Sequence, residues 1–92
     1  MTGMPREPAV VMYSTSWCPY CHRARRLLSS KGVIFQEIDV EEQPEQRDIM
    51  LTRSGGRRTV PQIFIGDRHV GGSDELHALE WAGELDPLLG HA

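Results

Sequence analysis

The chain has two cysteines, a single lysine, few aromatic residues (7%) and no long apolar run. Each scarcity excludes something. Two cysteines cannot build the disulfide framework that staples a small secreted domain. The longest apolar stretch, residues 9–13, falls far short of the ~18–20 residues that a membrane span requires. The opening Met1-Thr2-Gly3-Met4-Pro5-Arg6-Glu7-Pro8 contains no apolar segment of the secretory kind. A flexible N-terminus over residues 1–8 and a cytoplasmic location are therefore expected. A formal net charge of −3 argues against nucleic-acid binding. Nine of the ten cationic residues are arginine, which reads as a genomic bias. What remains is a 92-residue chain, 39% apolar and 25% charged, fitting one soluble domain over residues 9–92. A domain of this size hides roughly 60–65% of its unfolded surface, so the core is thin.

The two cysteines are not scattered. They form one C-x-x-C, Cys18-Pro19-Tyr20-Cys21. In a reducing compartment such a pair is more often catalytic or metal-binding than structural. Residues 9–14 are β-prone and almost wholly apolar, as in a strand buried on both faces. Residues 22–31 read as a helix with Ala24, Leu27 and Leu28 on the face of Cys21 and the arginines mostly on the other. Gly32 would stop that helix, and residues 34–38 read as a second strand. Together they make a βαβ unit with parallel strands. Proline favours the first helical position because its missing N–H would be unpaired there. With Pro19 in that position, Cys18 is the N-cap, its sulfur facing the positive end of the helix dipole. That setting favours thiolate over thiol. Cys21, one turn further in, lacks this exposure. The pair reads as an exposed attacker and a buried resolver.

In the second half, residues 44–54 read as a helix opened by Pro44 and ended by Gly55-Gly56. Residues 62–65 form a strand, Gly66-Asp67 a turn and residues 68–70 an antiparallel return. Gly71-Gly72 breaks that strand. Ser73-Asp74-Glu75 then opens a helix over residues 76–82, with Leu76 and Leu79 buried, and residues 84–89 give one last turn. The order β-α-β-α-β-β-α predicts an α/β domain: a mixed four-stranded sheet flanked by helices. A C-x-x-C after the first strand of such a pattern is the thioredoxin-like redox arrangement. Pro61 opens a strand, where a ladder tolerates proline. The Val60–Pro61 bond is expected to be cis, leaving the Val60 N–H and C=O free to receive an extended peptide.

Three motifs, Cys18-Pro19-Tyr20-Cys21-His22-Arg23-Ala24, Thr59-Val60-Pro61-Gln62-Ile63-Phe64-Ile65 and Gly71-Gly72-Ser73-Asp74-Glu75-Leu76, resemble those of the dithiol glutaredoxins. The resemblance spans about residues 9–89 and is nearest the small bacterial glutaredoxin 3 type. It implies a thioredoxin fold and glutathione-dependent reduction of protein disulfides and mixed disulfides. It further implies a monomer with glutathione as co-substrate, no resident cofactor and no metal. Client proteins would be oxidised or glutathionylated, with ribonucleotide reductase and other disulfide-cycling reductases among the family's expectations.

Carried over by position, Cys18 is the nucleophile and Cys21 the resolving thiol. Tyr20 flanks glutathione. Thr59 and Val60 pair with its cysteinyl unit beside cis-Pro61. Gly72, Ser73 and Asp74 hold the γ-glutamyl group, whose carboxylate suits helix N–H groups and whose ammonium suits Asp74. Arg47 meets the glycyl carboxylate. The chain departs from the family in three places. Thr15 stands where a lysine is common, so Arg47, Arg57 or Arg58 must supply the positive charge. The Gly55-Gly56-Arg57-Arg58 connection is one residue longer. Ser73 stands where some relatives have a third cysteine.

Three further readings of the pair are weaker. Cys18–His22 also satisfies C-x-x-C-H, the c-type haem pattern, but in the wrong βαβ context. A zinc site needs about four ligands, and His22 points away from Cys18. The stronger alternative is an iron–sulfur cluster carrier, with Cys18 and glutathione as ligands between two subunits. Visible absorbance after purification without oxygen distinguishes carrier from oxidoreductase. His22, His69, His77 and the Arg23-Arg25-Arg26 cluster read as solvated surface, Phe35, Phe64 and Leu79 as core, and Trp17 as either core or a rim beside Cys18. The position of Asp39, near the end of the second strand, assigns it no role.

Overall fold

The computed structural model describes residues 8–90. The flexible leader expected over residues 1–8 lies, but for Pro8, outside the described residues.

Strand β1, Val10–Ser14, is the scaffold of the domain. It pairs in parallel with β2, Gln36–Asp39, and antiparallel with β3, Gln62–Ile65, which pairs antiparallel with β4, Arg68–Gly71. The resulting mixed sheet has the order β2-β1-β3-β4. Helix α1, Pro19–Ser30, joins β1 to β2, and α2, Pro44–Arg53, joins β2 to β3. After β4 come α3, Ser73–Trp81, and a short α4, Leu85–Leu88. This is the α/β, thioredoxin-like arrangement expected from the sequence, with the last turn now a helix of its own.

The unbroken apolar run of β1 follows from burial on both faces. Alternate strand residues point to opposite sides. Val10 and Met12 of β1 join Ile63 and Ile65 of β3 under Ala24, Leu28 and Leu76 of α1 and α3. Tyr13 and Phe64 point the other way, with Met50 of α2, Ile38 and Val40. Tyr13 and Phe64 meet edge to face at 5.8 Å, the preferred geometry for two rings. Leu85 and Leu89 close the first layer; a tail of six residues carries too little periodicity to announce that.

Some local expectations are corrected. The second strand begins at Gln36, not residue 34, because its ladder with β1 starts at Val11↔Gln36. Ile34, before that pairing, is 95% exposed. Phe35 and Leu79 are half-buried against the core, not central to it. Trp17 is 90% exposed and so is not core. His69 and His77 are half-buried, each held by a hydrogen bond.

Candidate active site

The site lies where β1 hands the chain to α1. Residue 18 leaves the strand with φ −100° and ψ 111°, Pro19 takes the first helical position, and Cys18 is the N-cap as expected. Its sulfur accepts the backbone N–H of Cys21 at 3.2 Å. This N–H is one of those left unpaired at a helix start, so the sulfur completes the helix while facing its positive end.

The Cys18 thiol also donates to the Val60 carbonyl at 3.4 Å. The Val60–Pro61 bond is cis, and the β1–β3 ladder ends at Tyr13↔Gln62, so residue 60 lies outside the sheet. One expectation is corrected here. The Val60 carbonyl is not free, because it receives the Cys18 thiol.

Cys21 is completely buried, and both thiols are unbridged. Burial pushes the Cys21 thiol up to about 12, reinforced by its hydrogen bond with Cys18 and opposed by the Thr15 backbone and the Arg25 charge. Only the thiolate is a strong nucleophile, so the pair is asymmetric. Iodoacetamide at pH 7 is expected to alkylate Cys18 and spare Cys21 in the folded protein. Peptide mass mapping checks this, and equal modification of the two would refute the assigned asymmetry.

A cleft of about 220 Å³ is lined by Val60, whose carbonyl receives the Cys18 thiol; Cys18 itself is not among the lining residues. The cleft gathers Tyr20 of α1, Thr59, Val60 and Pro61 before β3, and Gly72, Ser73 and Asp74 at the start of α3. These are seven of the expected site residues. Arg47 is not among the lining residues; it is exposed on α2. Arg57 does line the cleft, and so does Glu75. The Glu75 carboxylate accepts the Gly72 N–H at 2.5 Å, capping α3 from inside its first turn, and lies 3.6 Å from the Arg57 guanidinium. Its spacing, three residues after Gly72, was the legible signal for that role.

Gly71 has φ +115°, and a Cβ there would lie 2.7 Å from Glu75 Oε1 and 3.0 Å from Arg57 Nη1. Only glycine combines that backbone with so close an approach.

A second network steadies Thr59. Buried Gln62 donates its amide to the Thr59 carbonyl at 2.9 Å and to its hydroxyl at 3.1 Å. The Gln62 Oε1 therefore accepts, and His69 Nε2, 2.6 Å away, carries the proton. The His69 ring stacks on Phe64 at 4.8 Å. Burial, with Arg57 adding to it, holds this imidazole below its usual range. Residues 62 and 69 face each other only because β3 and β4 pair, so no sequence spacing marks the contact. His77 Nδ1–H donates to the Ser73 carbonyl at 2.8 Å.

Behind α1, Arg25 is not part of a solvated arginine face. Its Nε donates to Glu37 Oε1 at 2.8 Å, and its Nη2 engages Glu37 Oε2. Ser14 Oγ donates to the same carboxylate at 2.8 Å, and Arg25 holds the Glu37 carboxyl below its ordinary range. Asp39 accepts the N–H of Glu41 at 2.8 Å and that of Glu42 at 3.2 Å, closing the turn after β2. Among the described residues no helix is long and apolar enough to cross a membrane.

Residues 10–70 match the glutaredoxin family model. The chain is 61% identical over 82 residues to a glutaredoxin of Pseudomonas aeruginosa, covering 89% of this chain and 96% of that protein. It is 56% identical over 80 residues to glutaredoxin 3 of Escherichia coli, covering 87% and 95% respectively. Its fold superposes on the crystal structure of a buckwheat glutaredoxin–glutathione complex with a TM-score of 0.81 at 31% identity, over 90% of this chain and 77% of the other. The chemistry of an N-capping cysteine with a buried partner agrees with these likenesses, and the chain belongs to the glutaredoxin family of thiol–disulfide oxidoreductases.

Proposed function

We propose that residues 9–92 form one cytoplasmic, monomeric domain that uses glutathione to reduce protein disulfides and glutathione mixed disulfides. The observation that carries this reading is the Cys18 sulfur capping α1 beside a cleft with backbone and charge suited to an extended γ-glutamyl tripeptide. Cys18 attacks the glutathione sulfur of a glutathionylated protein, and the protein thiol leaves. A second glutathione then releases oxidised glutathione and restores Cys18. With a protein disulfide, Cys18 forms a mixed disulfide with the client and Cys21 displaces it, leaving Cys18–Cys21 for glutathione to reduce.

Glutathione lies with its cysteinyl backbone along Thr59 and Val60, and Tyr20 covers it. The Val60 carbonyl held by the Cys18 thiol is released when the sulfur enters a mixed disulfide. The γ-glutamyl carboxylate meets the N-terminus of α3 at Gly72 and Ser73, where the positive end of the helix favours anions, although the Gly72 N–H is itself taken by Glu75. Its ammonium meets Asp74. Arg57 adds a positive charge at this corner, and Arg47 is left for the glycyl carboxylate. The likeness to a glutaredoxin crystallised with glutathione supports the ligand.

A coupled assay with a glutathionylated peptide, glutathione, glutathione reductase and NADPH tests the reading. Turnover saturable in glutathione is expected. Asp74→Asn should raise KM for glutathione by about five- to ten-fold with kcat little changed, the scale of one partly solvated charged contact. Turnover without glutathione dependence, or an unchanged KM in Asp74→Asn, would count against this use of the cleft.

A further inference from the structure

Resolution by Cys21 demands a thiolate from a thiol that burial pushes up to about 12. Arg57 of the first cleft is not among the charges acting on this sulfur, whereas Arg25 of α1 is. Arg25 follows Cys21 by four residues, one turn along the same helix face. Exposed Arg23 and Arg26 make no ion pair among the described residues, whereas Arg25 is clamped. Its guanidinium meets Glu37 of β2 in the two-point geometry that fixes orientation best. Glu37 is held in turn by Ser14, the last residue of β1. The charge is thus pinned to the end of the sheet beneath the redox turn. Ser14, Thr15, Arg25, Glu37 and Asp39 line a second cleft of about 460 Å³, which shares no residue with the first. The Thr15 backbone and the Arg25 charge both favour the ionised form of Cys21.

We propose that Arg25, clamped by Glu37, is a positioning residue that sets a fixed positive charge beside Cys21 and so promotes the resolving half of the reaction. The inference rests on the resolving role assigned to Cys21 above. In the step, the Cys21 thiol gives up its proton, which passes to bulk water. The Cys21 thiolate attacks Cys18 Sγ of the mixed disulfide. The Cys18–Cys21 bond forms, the bond from Cys18 to the client sulfur breaks, and the client sulfur leaves as a thiolate that takes a proton from water. The two active-site sulfurs end oxidised and the client disulfide reduced. The charged or titratable groups acting on Cys21 are Cys18 and Arg25. Glu37 is the counter-charge of Arg25, and Asp39 lines the same cleft, so the cation is partly neutralised and its effect is moderate. Glutathione can resolve the glutathionylated enzyme without Cys21, so deglutathionylation does not need Arg25. Arg25 thereby separates the two activities.

The test is reaction of the reduced protein with 5,5′-dithiobis(2-nitrobenzoic acid), followed at 412 nm across pH. The first thionitrobenzoate released reports attack by Cys18, and the second reports displacement by Cys21. In Arg25→Gln the second release should slow about ten-fold at neutral pH and its pH profile shift upward, while the first stays within about two-fold, as expected when thiolate fraction alone changes. Arg25→Lys should recover most of the second rate, because it restores the charge without the fork. A second-release profile in Arg25→Gln that superimposes on wild type, or equal slowing of both releases, overturns the proposal. A second release that persists in Cys21→Ser would instead overturn the role of Cys21 itself.

Discussion

Cys18→Ser is expected to lose both deglutathionylation and protein-disulfide reduction to background, while Cys21→Ser keeps the first and loses the second. The difference follows from geometry. Cys18 is half-buried at the end of a helix and beside the cleft, where a substrate disulfide can reach it. A serine hydroxyl there ionises far less readily than a thiol and cannot take part in sulfur exchange. Cys21 has no exposed surface and meets substrates only through Cys18. It is needed where the bound partner is a protein that glutathione displaces poorly, and dispensable where the partner is glutathione. Protein-disulfide reduction by Cys21→Ser should therefore fall by about ten-fold or more, with turnover of a glutathionylated peptide near wild type. Paired assays of the two variants decide the matter: comparable activities in both substrates would reject the division of labour. Neither substitution should prevent folding, since each exchanges one small side chain for another of nearly the same shape.

The second large effect is on stability. Leu28→Ala should cost about 3 kcal/mol, within the range for a fully buried leucine whose site cannot collapse. Leu28 is 0% exposed, under the sheet face that also buries Met12, Ile63 and Leu76. A domain of this size is stable by only ~5–15 kcal/mol. That loss corresponds to a fall in Tm of roughly 12–24 °C at the sensitivity usual for 60–100 residues. Trp17→Ala provides the contrast. Trp17 is larger but 90% exposed, so its removal should move stability by no more than about 0.5 kcal/mol. Thermal unfolding of the two variants by circular dichroism checks both; a Leu28→Ala midpoint within about 3 °C of wild type would show that the α1–sheet core is not the principal source of stability.

Local chemistry made the redox half of the site legible before any fold was known. Proline after Cys18 sets a helix start, a helix start leaves N–H groups unpaired, and a sulfur in that place must meet them. The same reasoning located Gly32 and the apolar β1, because backbone sterics and burial on two faces act over a few residues. Motif resemblance added Thr59, Val60, Pro61 and Gly72 to Asp74, and the fold brings all of them to one cleft with Tyr20.

What the amino-acid order could not decide was which distant residues face each other. Arg25 and Glu37 lie on a helix and a strand, and nothing in their spacing of twelve marks them as partners. Gln62 and His69 meet only across the β3–β4 hairpin. The Val60 carbonyl could be read as free until the end of α1 set a thiol against it. Sequence by itself determined which cysteine caps a helix, the order of elements and most of the faces they bury, since those depend on neighbours along the chain. Tertiary structure alone decided the pairing of Arg25 with Glu37 behind α1 and the bonds steadying the cleft, because electrostatic and hydrogen-bond energies depend on distance in space, and folding alone sets that distance.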